Sequence, residues 1–172
     1  QGRMFDPEVA EQVLADGQAD FISESREWIV EPDFVTKLEK GDVEGIRRCI
    51  NCNYCIGKRI FGQMPLRCTF NPIAGRDGKV GKAEEKKRVA IIGAGPAGLE
   101  AAYIAAQRGH SVEVYEATDR LCGGQLRIAS SSPCKDILQH IPDFFRVQLG
   151  RLPNVKIHLN SPVTAENAAS IE

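Results

Sequence analysis

The chain lacks any apolar run approaching the roughly 20 residues of a membrane-spanning helix, so no membrane association is expected. It lacks an excess of either charge: 22 Lys and Arg stand against 23 Asp and Glu, a formal net charge of −1. No general attraction for polyanions follows, and nucleic acid is not an expected partner. The opening residues, QGRMFDPEVA, contain no apolar core and no cleavage pattern, so no secretory signal is expected. They also lack an initiator Met, which points to a processed or excised piece. No internal repeat is present. Against these absences, 42% hydrophobic and 26% charged residues exclude wholesale disorder. The 172 residues suffice for one ordinary domain or two small ones.

Four of the six cysteines are crowded: Cys49, Cys52, Cys55 and Cys68, in the stretch CINCNYCIGKRIFGQMPLRC. The spacing is C-x2-C-x2-C-x12-C. Thiols clustered in a neutral, signal-less chain point to the cytoplasm and to metal rather than disulfides. A structural zinc site commonly pairs two C-x2-C knuckles, each giving two ligands. Here three thiols share one tight loop and the fourth arrives later, which favours a [4Fe-4S] cluster over zinc. Cys122 and Cys134 have no partners at ligand spacing and read as ordinary free cysteines.

The second signal is RVAIIGAGPAGLEAAYIAAQRGHSVEVYE. Arg88–Ile92 is an apolar strand, and Gly93, Gly95 and Gly98 form GxGxxG at its end. Pro96 suits a first helical turn, residues 97–108 read as a helix, and Gly109 suits its end. Ser111–Tyr115 is a second strand, closed by Glu116. In a dinucleotide fold Gly93 allows the tight turn, Gly95 admits the pyrophosphate to the backbone, and Gly98 lets the helix approach the sheet. The helix N-terminus offers N–H groups to phosphate. Glu116 can accept both ribose hydroxyls, and its charge disfavours a 2′-phosphate there. Gly123 and Gly124, in LCGGQL, can bring a second backbone loop to the same ligand.

The remaining pattern predicts a helix from Asp6-Pro7 to about Asp16, ended by Gly17, and a short strand over 19–23. A helical turn near Glu27 and a helix from Pro32-Asp33 to about Glu39 follow. A short helix over 43–48 delivers Cys49. The segment 75–88, rich in Gly and Lys, reads as a linker with Lys86 and Lys87 solvated. Ser132 and Pro133 open a long helix to about Leu149 that packs through Phe144 and Phe145. Residues 155–159 are a third strand, and Thr164 caps a last helix. His110, His140 and His158 read as solvated or structural histidines.

With both motifs placed, nearly the whole chain resembles the middle of the iron–sulfur flavoenzymes of the old yellow enzyme class. That group includes 2,4-dienoyl-CoA reductase, trimethylamine dehydrogenase and bacterial NADH:flavin oxidoreductases. ADFISESREWIVEPDFVTKLEKGD resembles the end of their flavin-binding (β/α)8 barrel, and IRRCINCNYCI with CTFNP resembles their cluster motif. KKRVAIIGAGPAGLEAAYIAAQRGHSVEVYEATDRLCGGQL resembles the start of their second nucleotide domain. The implied fold is α/β: a barrel end over 1–48, a cluster segment over 49–74, a linker over 75–87, and part of a Rossmann-like domain over 88–172.

The resemblance implies that Cys49, Cys52, Cys55 and Cys68 bind the [4Fe-4S] cluster. It implies that Gly93, Ala94, Gly95, Pro96, Ala97, Gly98, Glu116, Gly124 and Gln125 contact FAD, or ADP in the amine-dehydrogenase branch. Gly2, Arg3, Ser25 and Arg26 would lie at the phosphate of a barrel-bound FMN, with Ser25 where the family has Gly. The loop from Glu116 to the glycine pair is one residue longer than in dienoyl-CoA reductase. The implied parent carries electrons from NAD(P)H through FAD and the cluster to FMN, and reduces an activated C=C bond of a small-molecule substrate. No catalytic residue falls in this chain. A barrel takes about 250 residues, so only its last part is present and the partner is the rest of the parent chain. A split barrel strand near 17–24 implies association, including homo-oligomers. A non-catalytic electron-transfer module and a zinc-stabilised module are the other readings.

Overall fold

The computed structural model describes Met4, residues 6–76 and residues 80–171. Gly2 and Arg3 lie outside the described residues. The chain divides into two compact units, residues 1–78 and 79–172.

The first unit is built from short helices and irregular chain. Helix α1 spans Pro7–Ala15. Asp6 caps it, its carboxylate accepting from the Glu8 N–H, and Pro7 takes the first position, where no N–H is needed. Gly17, at φ 66°, ends it. Helices α2 (Arg26–Val30) and α3 (Phe34–Glu39) follow. Their apolar side, Val30 and Phe34, is buried with Ile46, Cys55, Phe70 and Ala74. Trp28 meets Phe34 edge-on, ring centroids 6.3 Å apart.

Two expected elements are absent here. Residues 19–23 form no strand: a strand needs a neighbour to take its N–H and C=O groups, and the described part of this unit contains no other strand. Phe21 is left 79% exposed in irregular chain. Nor do residues 43–48 form a helix. Side chains claim the backbone groups that helix would need: Asp42 accepts from the Gly45 N–H, Lys37 donates to the Gly45 carbonyl, and Glu31 accepts from the Arg47 N–H. A π-helical segment over Tyr54–Ile60 stands in the cysteine region instead, with Phe61 N–H bonded to the Ile56 carbonyl at 3.1 Å.

The second unit is a three-stranded parallel sheet in the order β1-β2-β3, with β1 Arg88–Ile92, β2 Ser111–Tyr115 and β3 Val155–His158. The register pairs Ile92 with Tyr115 and Tyr115 with His158, so the C-terminal ends of the three strands lie level. Helix α4 (Pro96–Gln107) crosses from β1 to β2 and packs on both, and α6 (His140–Gly150) packs on α4. Alternation along β2 turns Val112 and Val114 into the core and Glu113 and Tyr115 to the other face. The core is Leu99, Ala102 and Ala106 of α4, these valines, and Ile141, Phe144, Phe145 and Leu149 of α6. Tyr103 sits edge-on to Phe144 at 5.7 Å and to Phe145 at 6.5 Å.

Past the second strand the helices differ from expectation. Residues 125–130 form a helix, α5 (Gln125–Ser130), that the pattern did not indicate. The long helix begins not at Pro133 but after a 3₁₀ turn over Asp136–Gln139, because Cys134 takes φ 62°, which no right-handed helix tolerates. The last element is a 3₁₀ turn, Ala168–Ser170, preceded by Asn167, whose side chain accepts from the Thr164 N–H at 2.7 Å; Thr164 is not its cap. His110 is not simply solvated: its Nδ1 accepts from the Lys87 N–H at 3.0 Å. No described helix is long and apolar enough to cross a membrane.

Phe145 is 1% exposed at the meeting of α4, α6 and its neighbouring rings. Phe145→Ala is expected to destabilise this unit by about 3–5 kcal/mol. Amide exchange of α4 and α6 in the full-length protein under rising urea checks it; an unchanged profile contradicts the packing.

Candidate functional site

The four clustered thiols reach one place from two chain segments. Cys49, Cys52, Cys55 and Cys68 line a single small cavity with Arg26, Asn53, Thr69 and the apolar Ile29, Val30, Ile50 and Phe70. The turns that bring them there are local. Asn51 and Asn53 adopt left-handed backbone (φ 53° and 56°), a conformation Asn tolerates better than most residues. Cys55 is buried at the start of the π-helical segment. Cys68 arrives on the returning segment, where the Phe70 N–H reaches its sulfur at 3.4 Å.

Helix α2 anchors both arms. Glu27 is fully buried, and its Oε2 accepts from the Cys49 N–H at 3.1 Å. Asn71, on the other arm, donates to the Val30 carbonyl at 2.9 Å. Arg47 spans the arms: it donates to the Phe70 carbonyl and lies over the Phe70 ring, 5.0 Å from its centre. Burial pushes the Cys49 thiol up to about 11, against the opposing Asn51 N–H and Arg26 charge. Burial raises Cys68 as well, offset by the Phe70 and Asn71 N–H groups. At neutral pH these thiols hold their protons, and a metal that binds them must displace protons.

The donor set suits a sulfur-bound centre: four thiols and no carboxylate line the cavity. Among the described residues, no group of three or more His, Cys, Asp or Glu is arranged to hold a metal ion.

The glycine loop of the second unit forms at the C-terminal end of β1. Gly93 takes φ 97°, and its N–H bonds to the Tyr115 carbonyl at 2.7 Å. A Cβ at Gly98 would stand 2.0 Å from the Gly93 carbonyl oxygen, so only glycine lets α4 start this close to the strand. Around Gly95 and Gly124 the space is open, as a ligand approaching the backbone requires. Pro96 opens α4, leaving the Ala97 and Gly98 N–H groups without helical acceptors. Gly124 precedes α5, and Gln125 is its exposed first residue.

Glu116 ties this site together. Its Oε2 accepts from the Ala94 N–H at 2.7 Å, and its Oε1 accepts from the Thr118 N–H and hydroxyl, both at 2.9 Å. Partial burial opposes its charge, but these hydrogen bonds outweigh it and hold the carboxyl below the usual range. The carboxylate stays ionised and keeps lone pairs for hydroxyl donors. Cys122 has a place that sequence reasoning missed. Buried, at φ 54°, it donates its N–H to the Ala94 carbonyl at 2.9 Å and clips the second glycine loop to the first. Its thiol is pushed up to about 11 by burial, with Glu116 adding to the rise.

Ser25 precedes α2 without a side-chain cap, and the Arg26 guanidinium donates to Asn53 Oδ1 at 2.7 Å. Glu27, Arg47 and Asn71 also escaped the sequence reading. The available signal was an acid inside the apolar run of REWIV. A cavity of about 670 Å³ between α6 and β3 is lined by none of Gly93, Gly95, Gly98 or Glu116. His158 is structural: it stacks on Tyr115 and meets Glu113 Oε2 at 3.0 Å.

A family model described as an NAD(P)-binding Rossmann-like domain matches residues 91–148. An NADH oxidase of Thermoanaerobacter brockii is 43% identical over 169 residues, covering 96% of this chain and 25% of that protein. The structure of 6-hydroxypseudooxynicotine amine oxidase (HisD) from Pseudomonas geniculata N1 superimposes with TM-score 0.91 at 33% identity, covering 99% of this chain and 26% of that one. A 2-naphthoyl-CoA reductase gives 0.90 at 32% identity, with 98% and 26% covered. The chain therefore spans about a quarter of the length of the proteins it matches.

Burial raises the Glu27 carboxyl to about 7, with Glu24 and Glu31 adding to the rise and the Cys49 N–H and Arg48 opposing it. The folded protein then holds a proton between about pH 4.5 and 7 that the unfolded chain has lost, so stability falls as pH rises through that window. Glu27→Gln keeps an acceptor for the Cys49 N–H and removes the charge. It is expected to flatten this fall, by up to about 3 kcal/mol at neutral pH. Urea midpoints of the metal-free protein from pH 4.5 to 8 check it; parallel wild-type and variant curves contradict it.

Proposed function

We propose that this chain, a relative of the iron–sulfur flavoenzymes of the old yellow enzyme class, is the electron-relay section of a longer NAD(P)H-dependent flavin oxidoreductase. Cys49, Cys52, Cys55 and Cys68 hold a [4Fe-4S] cluster in the first unit. The Gly93–Gly98 loop, Glu116 and the Gly124–Gln125 turn hold the ADP half of FAD in the second. The observation that carries this reading is the meeting of four thiols from two chain segments around one cavity, with no carboxylate among its lining residues. The flavin and cluster would supply the redox chemistry, one as a two-electron carrier and the other as a one-electron carrier.

The chain's own residues bind and orient. Glu116 excludes a 2′-phosphate and favours an unphosphorylated ribose. The N–H groups of Ala97 and Gly98 face the pyrophosphate. Glu27 and Asn71 fix the two arms that carry the thiols. In the whole protein Ser25 and the first unit would close the end of a barrel that holds FMN, and that FMN would supply the reducing chemistry for an enoate- or dienoyl-type C=C bond. The likeness to a CoA-thioester reductase supports that substrate class. The likeness to an amine oxidase favours a second reading, in which the barrel oxidises an amine and the second unit holds ADP.

Anaerobic titration of the full-length protein with NADH tests the proposal. Flavin bleaching is expected together with the electron paramagnetic resonance signal of a reduced cluster. Cys68→Ser is expected to abolish that signal while sparing bound dinucleotide. Flavin reduction by NADH with no cluster signal in the wild type contradicts the relay. An amine that reduces the protein without NADH selects the second reading.

A further inference from the structure

The two adjacent glycines of the second loop face different surroundings. A Cβ at Gly124 would meet nothing within 4 Å. A Cβ at Gly123 would stand 2.3 Å from Thr118 Oγ1 and 3.1 Å from Thr118 Cβ. The Gly123 backbone is not left-handed, so its conformation alone does not call for glycine. What fills the place of a side chain at 123 is the Thr118 hydroxyl. That hydroxyl lies 2.9 Å from Glu116 Oε1 and 3.1 Å from the Arg120 carbonyl. It has one proton, and the charged carboxylate is the stronger acceptor. Oε1 also accepts from the Thr118 N–H at 2.9 Å, and Oε2 accepts from the Ala94 N–H at 2.7 Å. Oε1 therefore carries two donors and Oε2 one, which leaves Oε2 as the open acceptor. The backbone beneath is fixed separately. The Glu116 N–H donates to the His158 carbonyl at 2.9 Å, the Asn160 N–H to the Thr118 carbonyl at 2.9 Å, and the Ser161 N–H to the Glu116 carbonyl at 2.8 Å. The turn forms through these bonds, and the hydroxyl sets the direction of the carboxylate.

We infer that Thr118 is a positioning residue for the dinucleotide: its hydroxyl orients the Glu116 carboxylate for the ribose, and Gly123 is glycine to make room for that hydroxyl rather than to meet the ligand. The inference rests on the dinucleotide reading above. A glutamate side chain has several rotatable bonds, and a carboxylate already held in one orientation spares binding the ordering it would otherwise require. One side chain thereby couples the acid to the second glycine loop, and the two glycines of that loop divide the work. Gly124 leaves space for a ligand, and Gly123 leaves space for Thr118.

The test uses the full-length protein freed of bound dinucleotide and titrated with ADP from pH 4.5 to 8. Thr118→Ala is expected to bind ADP about fivefold more weakly. Thr118→Ser restores the hydroxyl and is expected to recover most of the loss. Partial burial pushes the Glu116 carboxyl up, and the Thr118 and Ala94 N–H groups together with the Thr118 hydroxyl outweigh it. Without the hydroxyl the carboxyl protonates at a higher pH, so the acid-side fall in ADP affinity moves upward in pH in Thr118→Ala and not in Thr118→Ser. The neighbouring groups do not produce that movement. The Cys122 thiol, pushed up to about 11 by burial, keeps its proton over this range, Asp119 and Arg120 pair with each other at 2.8 Å, and the His158 ring is turned to Tyr115 and Glu113. Gly123→Ala leaves Thr118 in the sequence and forces its hydroxyl aside, so a loss of similar size is expected. Added to Thr118→Ala it is expected to cost little more, because no hydroxyl remains to displace. It also gives the answer should Thr118→Ala fail to fold. Equal affinities and coincident pH profiles in wild type and Thr118→Ala overturn the inference, as do a Thr118→Ser variant as weak as Thr118→Ala or additive losses in the double variant. A wild-type protein that binds no ADP overturns the dinucleotide reading itself, and is recognised before any variant is made.

Discussion

The first unit depends on the capture of backbone groups by side chains buried around helix α2. Glu27 takes the N–H of Cys49, and Asn71 ties the returning arm to the Val30 carbonyl. Glu31 takes the N–H of Arg47, and Arg47 reaches the carbonyl of Phe70. A five-residue helix thereby fixes both strands of a loop that has almost no regular structure of its own. This matters because four thiols cannot be gathered by hydrophobic packing alone; each needs its backbone aimed. A buried carboxylate has a cost of several kcal/mol unless it is hydrogen-bonded, and the Cys49 amide offsets part of it. The remaining oxygen of Glu27 has no partner among the described residues.

The second unit solves its problem with backbone instead. Its strands end level, and the glycine loop, the Glu116 carboxylate and the Cys122 turn meet at that edge. Glu116 satisfies the Ala94 and Thr118 amides, which keeps the loop formed, and those bonds hold it charged. Cys122 takes a left-handed turn, and Gly124 stands open at the start of α5.

What could be read from the sequence follows the range of the forces involved. The GxGxxG loop, both flanking strands and α4 were legible because their requirements are local: a positive φ at Gly93, a close approach at Gly98, alternation in the strands. The thiol spacing was legible for the same reason. The helix expected over 43–48 failed because Asp42, Lys37 and Glu31 compete for its backbone groups, a tertiary effect with no local signature. The strand expected over 19–23 failed because strands exist only in pairs. The helix expected from Pro133 ignored Cys134, whose backbone no propensity scale marks.

The central claim is that four thiols from two segments surround one polynuclear centre. Iron, zinc and acid-labile sulfide, assayed together on anaerobically purified full-length protein, test it most directly. The account predicts about four irons and about four sulfides per chain attributable to this site, lost when Cys68 is replaced by Ser. One zinc per chain with no labile sulfide would contradict it.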